Sequence, residues 1–218
     1  MLVHMLTRRL IQLYTGLVLY GFSMAMMIEA SIGLNPWDVL HQGLARHVPL
    51  TFGQVTIVVG ALVLAAWIPL RQRPGLGTIS NVIVIGLSVD VSLAVLSPPD
   101  ALPLRIAQLL AGVLLNGVAT AGYIGARFGP GPRDGLMTGL VARTGRSVRL
   151  VRTTLELSVL AVGWVLGGTV GVGTLVYAAA IGPLVHVLLP RLTVAEPLTV
   201  AARPGRRAGR GRARSRAR

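Results

Sequence analysis

The chain has 218 residues, with 21 Arg, no Lys, 7 acidic residues and no Cys, for a formal net charge of +14. A hydrophobic fraction of 53% with only 13% charged residues excludes a disordered chain, a disulfide scaffold and a thiolate zinc site, and argues against a water-soluble globule. Eight of the 21 arginines lie in residues 203–218, and most of the others flank apolar runs instead of covering a soluble face, so specific nucleic-acid binding is not expected.

In chain order, the first element is an apolar run over about 10–30, preceded by Arg8-Arg9. It is longer than a secretory signal's apolar region and no clear cleavage site follows, so it reads as a retained span. Gly33-Leu34-Asn35-Pro36-Trp37-Asp38 then starts a helix of about 10 residues, too short to span. Asn35 takes the cap, Pro36 the first helical position and Asp38 the third, where its carboxylate is expected to accept backbone N–H groups and complement the helix dipole. Runs at about 53–70 and 77–97 follow, the first short and ending at Pro69. After a run at about 104–126, Gly129-Pro130-Gly131-Pro132-Arg133-Asp134 starts a second short helix, with Gly131 as cap and Asp134 again third. Runs at about 150–169 and 172–190 complete a membrane domain over 1–193. The Arg-rich segment 194–218 is expected to be a disordered cytoplasmic tail on the anionic inner leaflet.

Six runs approach the roughly 20 residues needed to cross a bilayer core, and in lipid each must be helical. The predicted class is therefore all-α membrane with six spans. With the N-terminus inside, 19 arginines fall on the cytoplasmic side and only Arg46 and Arg105 outside. This asymmetry predicts that both termini are cytoplasmic in a bacterial inner membrane.

Residues 16–93 align without a gap on residues 112–189, with 25 identities in 78 positions. Gly33, Pro36, Asp38, Leu40, Gly43 and Leu44 match Gly129, Pro132, Asp134, Leu136, Gly139 and Leu140. Each unit, about 10–97 and 104–190, holds three predicted spans. An odd number turns the second unit upside-down relative to the first, as in many secondary transporters and channels. Two arrangements fit the short helices. They lie flat on opposite faces, where the two Asp are capping residues only. Or they dip in as half-helices whose N-termini build one polar site.

The segment Ile28-Glu29-Ala30-Ser31-Ile32-Gly33-Leu34-Asn35-Pro36-Trp37-Asp38-Val39-Leu40-His41-Gln42-Gly43-Leu44 resembles the signature of the YczE/YyaS/YitT-type bacterial membrane proteins, its YczE-like branch above all. Gly131-Pro132-Arg133-Asp134-Gly135-Leu136-Met137 is similar to that branch's second signature. The resemblance covers about residues 8–192. It implies a multi-pass bacterial inner-membrane protein and carries no agreed biochemical activity.

The candidate solute-binding residues are Asn35, Asp38, His41, Arg133 and Asp134. Asp90 sits inside the third span and His186 is its repeat equivalent in the sixth, so the pair is a candidate proton relay, with Asn81 expected on the same face as Asp90. Arg152 and Glu156, four residues apart, suit a helical ion pair. Arg143, Arg146, Arg149 and Arg152 are assigned to anionic lipid headgroups. No nucleophile–base pair, phosphate loop or metal-ligand cluster is found, so no enzyme, cofactor or metal is expected. The leading expectation is a small inverted-repeat transporter or channel component. The alternatives are an accessory protein docking an unknown partner, and a substrate-binding subunit of a larger importer.

Overall fold

The computed structural model describes residues 2–194, so the predicted tail beyond Val194 lies outside the described residues. Within them the chain forms α1 (Leu2–Ala30), α2 (Pro36–Ala45), α3 (Phe52–Trp67), α4 (Leu76–Val95), α5 (Leu102–Gly125), α6 (Pro132–Thr144), α7 (Val148–Val165) and α8 (Val172–Leu192), and no strand. Four helices, α1, α4, α5 and α8, are long and apolar enough to cross a membrane. The other two predicted runs fall short. α3 has 16 residues and stops before Pro69, while α7 has 18 residues and carries Arg149, Arg152 and Glu156.

α1 and α5 form the central pair and run in opposite senses. Repeat-equivalent glycines let their backbones close on each other. A Cβ on Gly16 would lie 2.9 Å from the Tyr123 backbone nitrogen, and one on Gly112 would lie 3.2 Å from the Ser23 carbonyl oxygen. Each helix also has its C-terminal carbonyls capped by an arginine from the start of the other. Arg9 donates to the carbonyls of Ala126 and Arg127, both at 2.9 Å. Arg105, 96 residues on, donates to those of Ala30 at 2.8 Å and Ser31 at 3.2 Å. Gln12 bonds the Gly122 carbonyl at 2.9 Å, and Gln108 bonds that of Met26 at 3.1 Å. These side chains satisfy acceptors that every helix end leaves open. The pairs at 9 and 105 and at 12 and 108 extend the 96-residue correspondence upstream of the sequence alignment.

α4 starts beside the end of α5, where Gly77 N–H donates to the Phe128 carbonyl at 2.9 Å. α8 starts beside the end of α1, where Gly173 N–H donates to the Ile32 carbonyl at 3.0 Å. α4 and α8 therefore run in opposite senses too. One buried core joins Leu13, Leu17 and Met24 of α1 with Val89 of α4 and Ala119 of α5. A second joins Met27, Val39, Leu109, Val113 and Tyr177 from α1, α2, α5 and α8. The outer faces stay apolar, with Leu62, Val95, Leu104, Trp164 and Leu175 all exposed. Such a surface is unfavourable in water.

After α1 and α5 the chain turns back at equivalent positions. Ser31 and Arg127 take φ of 53° and 57°, and Gly33 and Gly129 take 128° and 117°. Each turn glycine is also tightly enclosed: a Cβ on Gly33 would lie 2.8 Å from the Gly171 nitrogen, and one on Gly129 2.8 Å from Thr78 Oγ1. α2 then packs on α7, where a Cβ on Gly163 would lie 2.4 Å from the Leu40 nitrogen. α6 packs on α3, where Trp67 Nε1–H donates to the Pro132 carbonyl at 3.0 Å. Each short helix thus packs on a helix from the other half of the chain. Asn35, Asp38 and His41 are buried to within 2% of full exclusion, so this face of α2 is enclosed by the protein.

Candidate functional site

A cavity of about 280 Å³ opens between the N-termini of α2 and α6. Asn35, Trp37 and His41 line it from one side, and Gly131, Arg133 and Asp134 from the other. Asp38 lies just behind this lining, fully buried. Four of the five sequence-predicted site residues therefore share one cavity, and the fifth touches three of them.

α2 begins as its local sequence predicts, with Asn35 as cap and Pro36 first. The capping atoms differ from expectation. Asn35 Oδ1, not the Asp38 carboxylate, accepts the N–H groups of Trp37 at 3.1 Å and Asp38 at 3.0 Å. Asp38 Oδ2 instead accepts from Asn35 Nδ2. Asp38 Oδ1 makes no hydrogen bond among the described residues and lies 3.5 Å from His41 Nδ1 and 3.7 Å from an Arg133 guanidinium nitrogen. A buried carboxylate needs such a counter-charge, because losing its hydration costs several kcal/mol. Asn35, having taken the cap, frees the carboxylate to face α6. Arg133 reaches across from α6 and stacks on the Trp37 ring, its Cζ 4.9 Å from the ring centroid.

The second copy is built differently. Gly131 has no side chain to cap α6. No side-chain hydrogen bond caps that helix start, and Asp134 instead lines the cavity together with Tyr123. His41 is enclosed: its ring lies 3.3 Å from Thr56 Oγ1 and edge-on to Phe52, with centroids 5.9 Å apart.

The structure does not bring Asp90 and His186 together. Asp90 accepts from Thr51 Oγ1 and, at 2.7 Å, from Gly53 N–H, and so caps the start of α3. His186 is exposed, and no hydrogen bond or ion pair among the described residues joins it to Asp90. Because α4 and α8 run oppositely, two residues equally far along them lie toward opposite ends. Asn81 and not Asp90 lines the cavity. Nine residues of helix turn through about 900°, which puts them on opposite faces.

The four arginines assigned to lipid do not form one helical row. Arg143 ends α6 and bonds the Pro69 carbonyl at 2.8 Å. Arg146 lies in the turn after Gly145, and Arg149 and Arg152 belong to α7. Arg152 lines the cavity and pairs with Glu156 at 3.0 Å, the ion pair its spacing suggested.

Sequence reasoning missed the tyrosines. Tyr20, Tyr123 and Tyr177 all line the cavity. The Tyr177 hydroxyl donates to Asn116 Oδ1 at 3.0 Å, and Asn116 Nδ2 donates to Ser23 Oγ at 2.9 Å. The repeat held a signal for two of them: Tyr20 aligns with Asn116, and Asn81 with Tyr177, so each span pair carries a Tyr opposite an Asn.

Comparison with known proteins gives a single family. The family described as "Family of unknown function (DUF6198)" matches residues 7–190. An "Uncharacterized protein" of Haemophilus influenzae is 40% identical over 174 residues, 80% of each chain. The "Uncharacterized membrane protein YczE" of Bacillus subtilis is 33% identical over 180 residues, 82% of this chain and 84% of its own. The "Uncharacterized protein YyaS" of the same organism is 26% identical over 179 residues, 80% and 89% of the two chains. These relatives support the YczE-like resemblance of the two Pro-x-Asp signatures. No solved structure matches the chain.

Proposed function

The chain belongs to the family of unknown function DUF6198, and from that premise we propose that it is a multi-pass membrane protein acting as a small inverted-repeat transporter or channel component for a polar solute. The observation that carries the reading is the meeting of two short-helix N-termini, from segments 96 residues apart, at one cavity that holds charged side chains of both signs. Structural capping alone needs neither the Arg133 guanidinium 3.7 Å from a buried Asp38 nor an adjoining cavity. Broken helices converging on a central site are how secondary transporters hold solutes.

In this reading α1, α3, α4, α5, α7 and α8 are the six spans, and α2 and α6 are re-entrant. The reciprocal arginine caps and the matching turns at residues 31–33 and 127–129 support two units of opposite orientation. Arg9, Arg127 and Arg143 gather at the end where α4 starts, and Arg105 lies at the other, which supports an Arg-rich cytoplasmic side.

The test is a thermal-shift screen of the detergent-purified full chain against ions and metabolites, beside an Asp38→Asn/Asp134→Asn double variant. A solute at about 100 times its Kd stabilises the folded state by about 2.7 kcal/mol. The expected result is a solute that raises the Tm of the wild type and not of the variant. Equal stabilisation of both removes the paired motifs from the site.

A further inference from the structure

The two halves differ in how their last two helices meet. In the first, α3 packs against α4 through glycines: a Cβ on Gly53 would lie 2.0 Å from the Gly86 carbonyl oxygen, and one on Gly60 would lie 3.1 Å from Val82. In the second half the positions equivalent to Gly53, Thr56 and Gly60 are Arg149, Arg152 and Glu156. α7 and α8 have no comparable packing, and a Cβ on Gly182, the equivalent of Gly86, would meet nothing within 4 Å. The residues along this gap, Arg152, Glu156, Ala178 and Gly182, also line the central cavity. The cavity therefore opens sideways between α7 and α8. That opening faces an apolar surface bearing the exposed side chains Leu157, Val162, Leu175 and Val187.

The cavity also offers both signs of charge. Arg133 and Arg152 are available to an anionic group, and Asp134 and Glu156 to a cationic one, beside the faces of Tyr20, Tyr123 and Tyr177. We propose that the cavity takes the headgroup of a zwitterionic phospholipid, which enters through the gap between α7 and α8 and leaves its acyl chains outside. The Arg152–Glu156 pair at the gap is half-exposed, at 53% and 39%, on an apolar helix. Charges facing hydrocarbon are costly, and a phosphate beside Arg152 with an ammonium beside Glu156 adds counter-charge to a pair that otherwise has only its own 3.0 Å contact. This inference rests on the solute-site reading above and adds the ligand class and the route. The same phosphate–ammonium chemistry exists in a free phosphodiester, and the sideways opening onto apolar surface selects the lipid.

The experiment measures the Tm of the full chain in detergent with phosphatidylethanolamine, phosphatidylglycerol or soluble glycerophosphoethanolamine. It compares the wild type with Gly182→Phe, which fills the empty space in the gap, and with Arg133→Gln. Phosphatidylethanolamine should raise the wild-type Tm by about 5 °C more than phosphatidylglycerol does. Gly182→Phe and Arg133→Gln should each lose most of that difference. If Gly182→Phe does not fold, Ala178→Leu narrows the same gap and carries the same expectation. Equal responses to the two lipids overturn the choice of a zwitterion. A full response to glycerophosphoethanolamine that survives Gly182→Phe overturns lateral entry while leaving the solute site in place. A lipid response that survives Arg133→Gln, in a protein whose Asp38→Asn/Asp134→Asn variant also responds normally to every solute, removes both readings.

Discussion

Arg9 and Arg105 show how much of the packing depends on single side chains. Each guanidinium binds two carbonyls at the end of the facing helix, where the last turn has no intrahelical partners. Hydrogen bonds to charged groups contribute about 1.5–3 kcal/mol, and 1 kcal/mol moves Tm by about 2–4 °C in a chain of this size. Arg9→Gln and Arg105→Gln should therefore each lower the detergent Tm by several degrees and by similar amounts. A shift within about 1 °C for either would mean that solvent replaces these bonds. Gly33 and Gly129 combine a positive φ with walls that leave no room for a Cβ. Gly33→Ala and Gly129→Ala should each cost about 1–3 kcal/mol through backbone strain, read in the same melting experiment. The glycines are visible in the sequence as repeat matches. The walls are not, because Gly171 and Thr78 come from distant segments.

At the scale of the element, α2 and α6 begin with the same Pro-x-Asp pattern and divide the work differently. In α2 the cap is Asn35 and the carboxylate is turned toward Arg133, whereas α6 starts at Gly131 with no side-chain cap hydrogen bond. Asn35→Ala should therefore cost about 0.5–2 kcal/mol through the lost cap. Asp38→Asn keeps the Asn35 cap but leaves Arg133 without its buried counter-charge, so its main effect should fall on solute response and less on Tm. A large Tm loss with unchanged solute response would reverse that assignment. The helix starts were legible from residue types alone, since Asn-Pro and Gly-Pro specify a cap and a first turn. The bonding of Asp38 was not, because its partner lies 95 residues further along the chain. A similar exchange occurs between α3 and α7. Trp67 packs against Gly135, while at the equivalent pair Gly163 packs on Val39, so large and small residues trade sides across the pseudo-symmetric contact.

For the whole molecule, the absence of Cys supplies a background for labelling. Under the proposed orientation, which puts Arg9, Arg127 and Arg143 on the cytoplasmic side, Val48→Cys should react with a membrane-impermeant maleimide added outside intact cells. Arg146→Cys should react only after the cells are opened. Labelling of both from the same side would exclude the proposed orientation. Asn81→Cys, in the cavity wall, should be protected by any solute that occupies the site.

The order of apolar runs, the two short helices, the 96-residue correspondence and the arginine asymmetry follow from sequence alone. They depend on local hydropathy, capping chemistry and duplication, all of which are written along one dimension. Tertiary structure alone decided where the polar groups meet. It buried Asp38 against Arg133, gave Asp90 to the start of α3, kept His186 away from it and brought three tyrosines to one cavity. It also left α7 apart from α8 while α3 closed on α4. Each of these depends on which helix faces which across the bundle, and that is fixed by side-chain volume and charge summed over segments that the sequence keeps far apart.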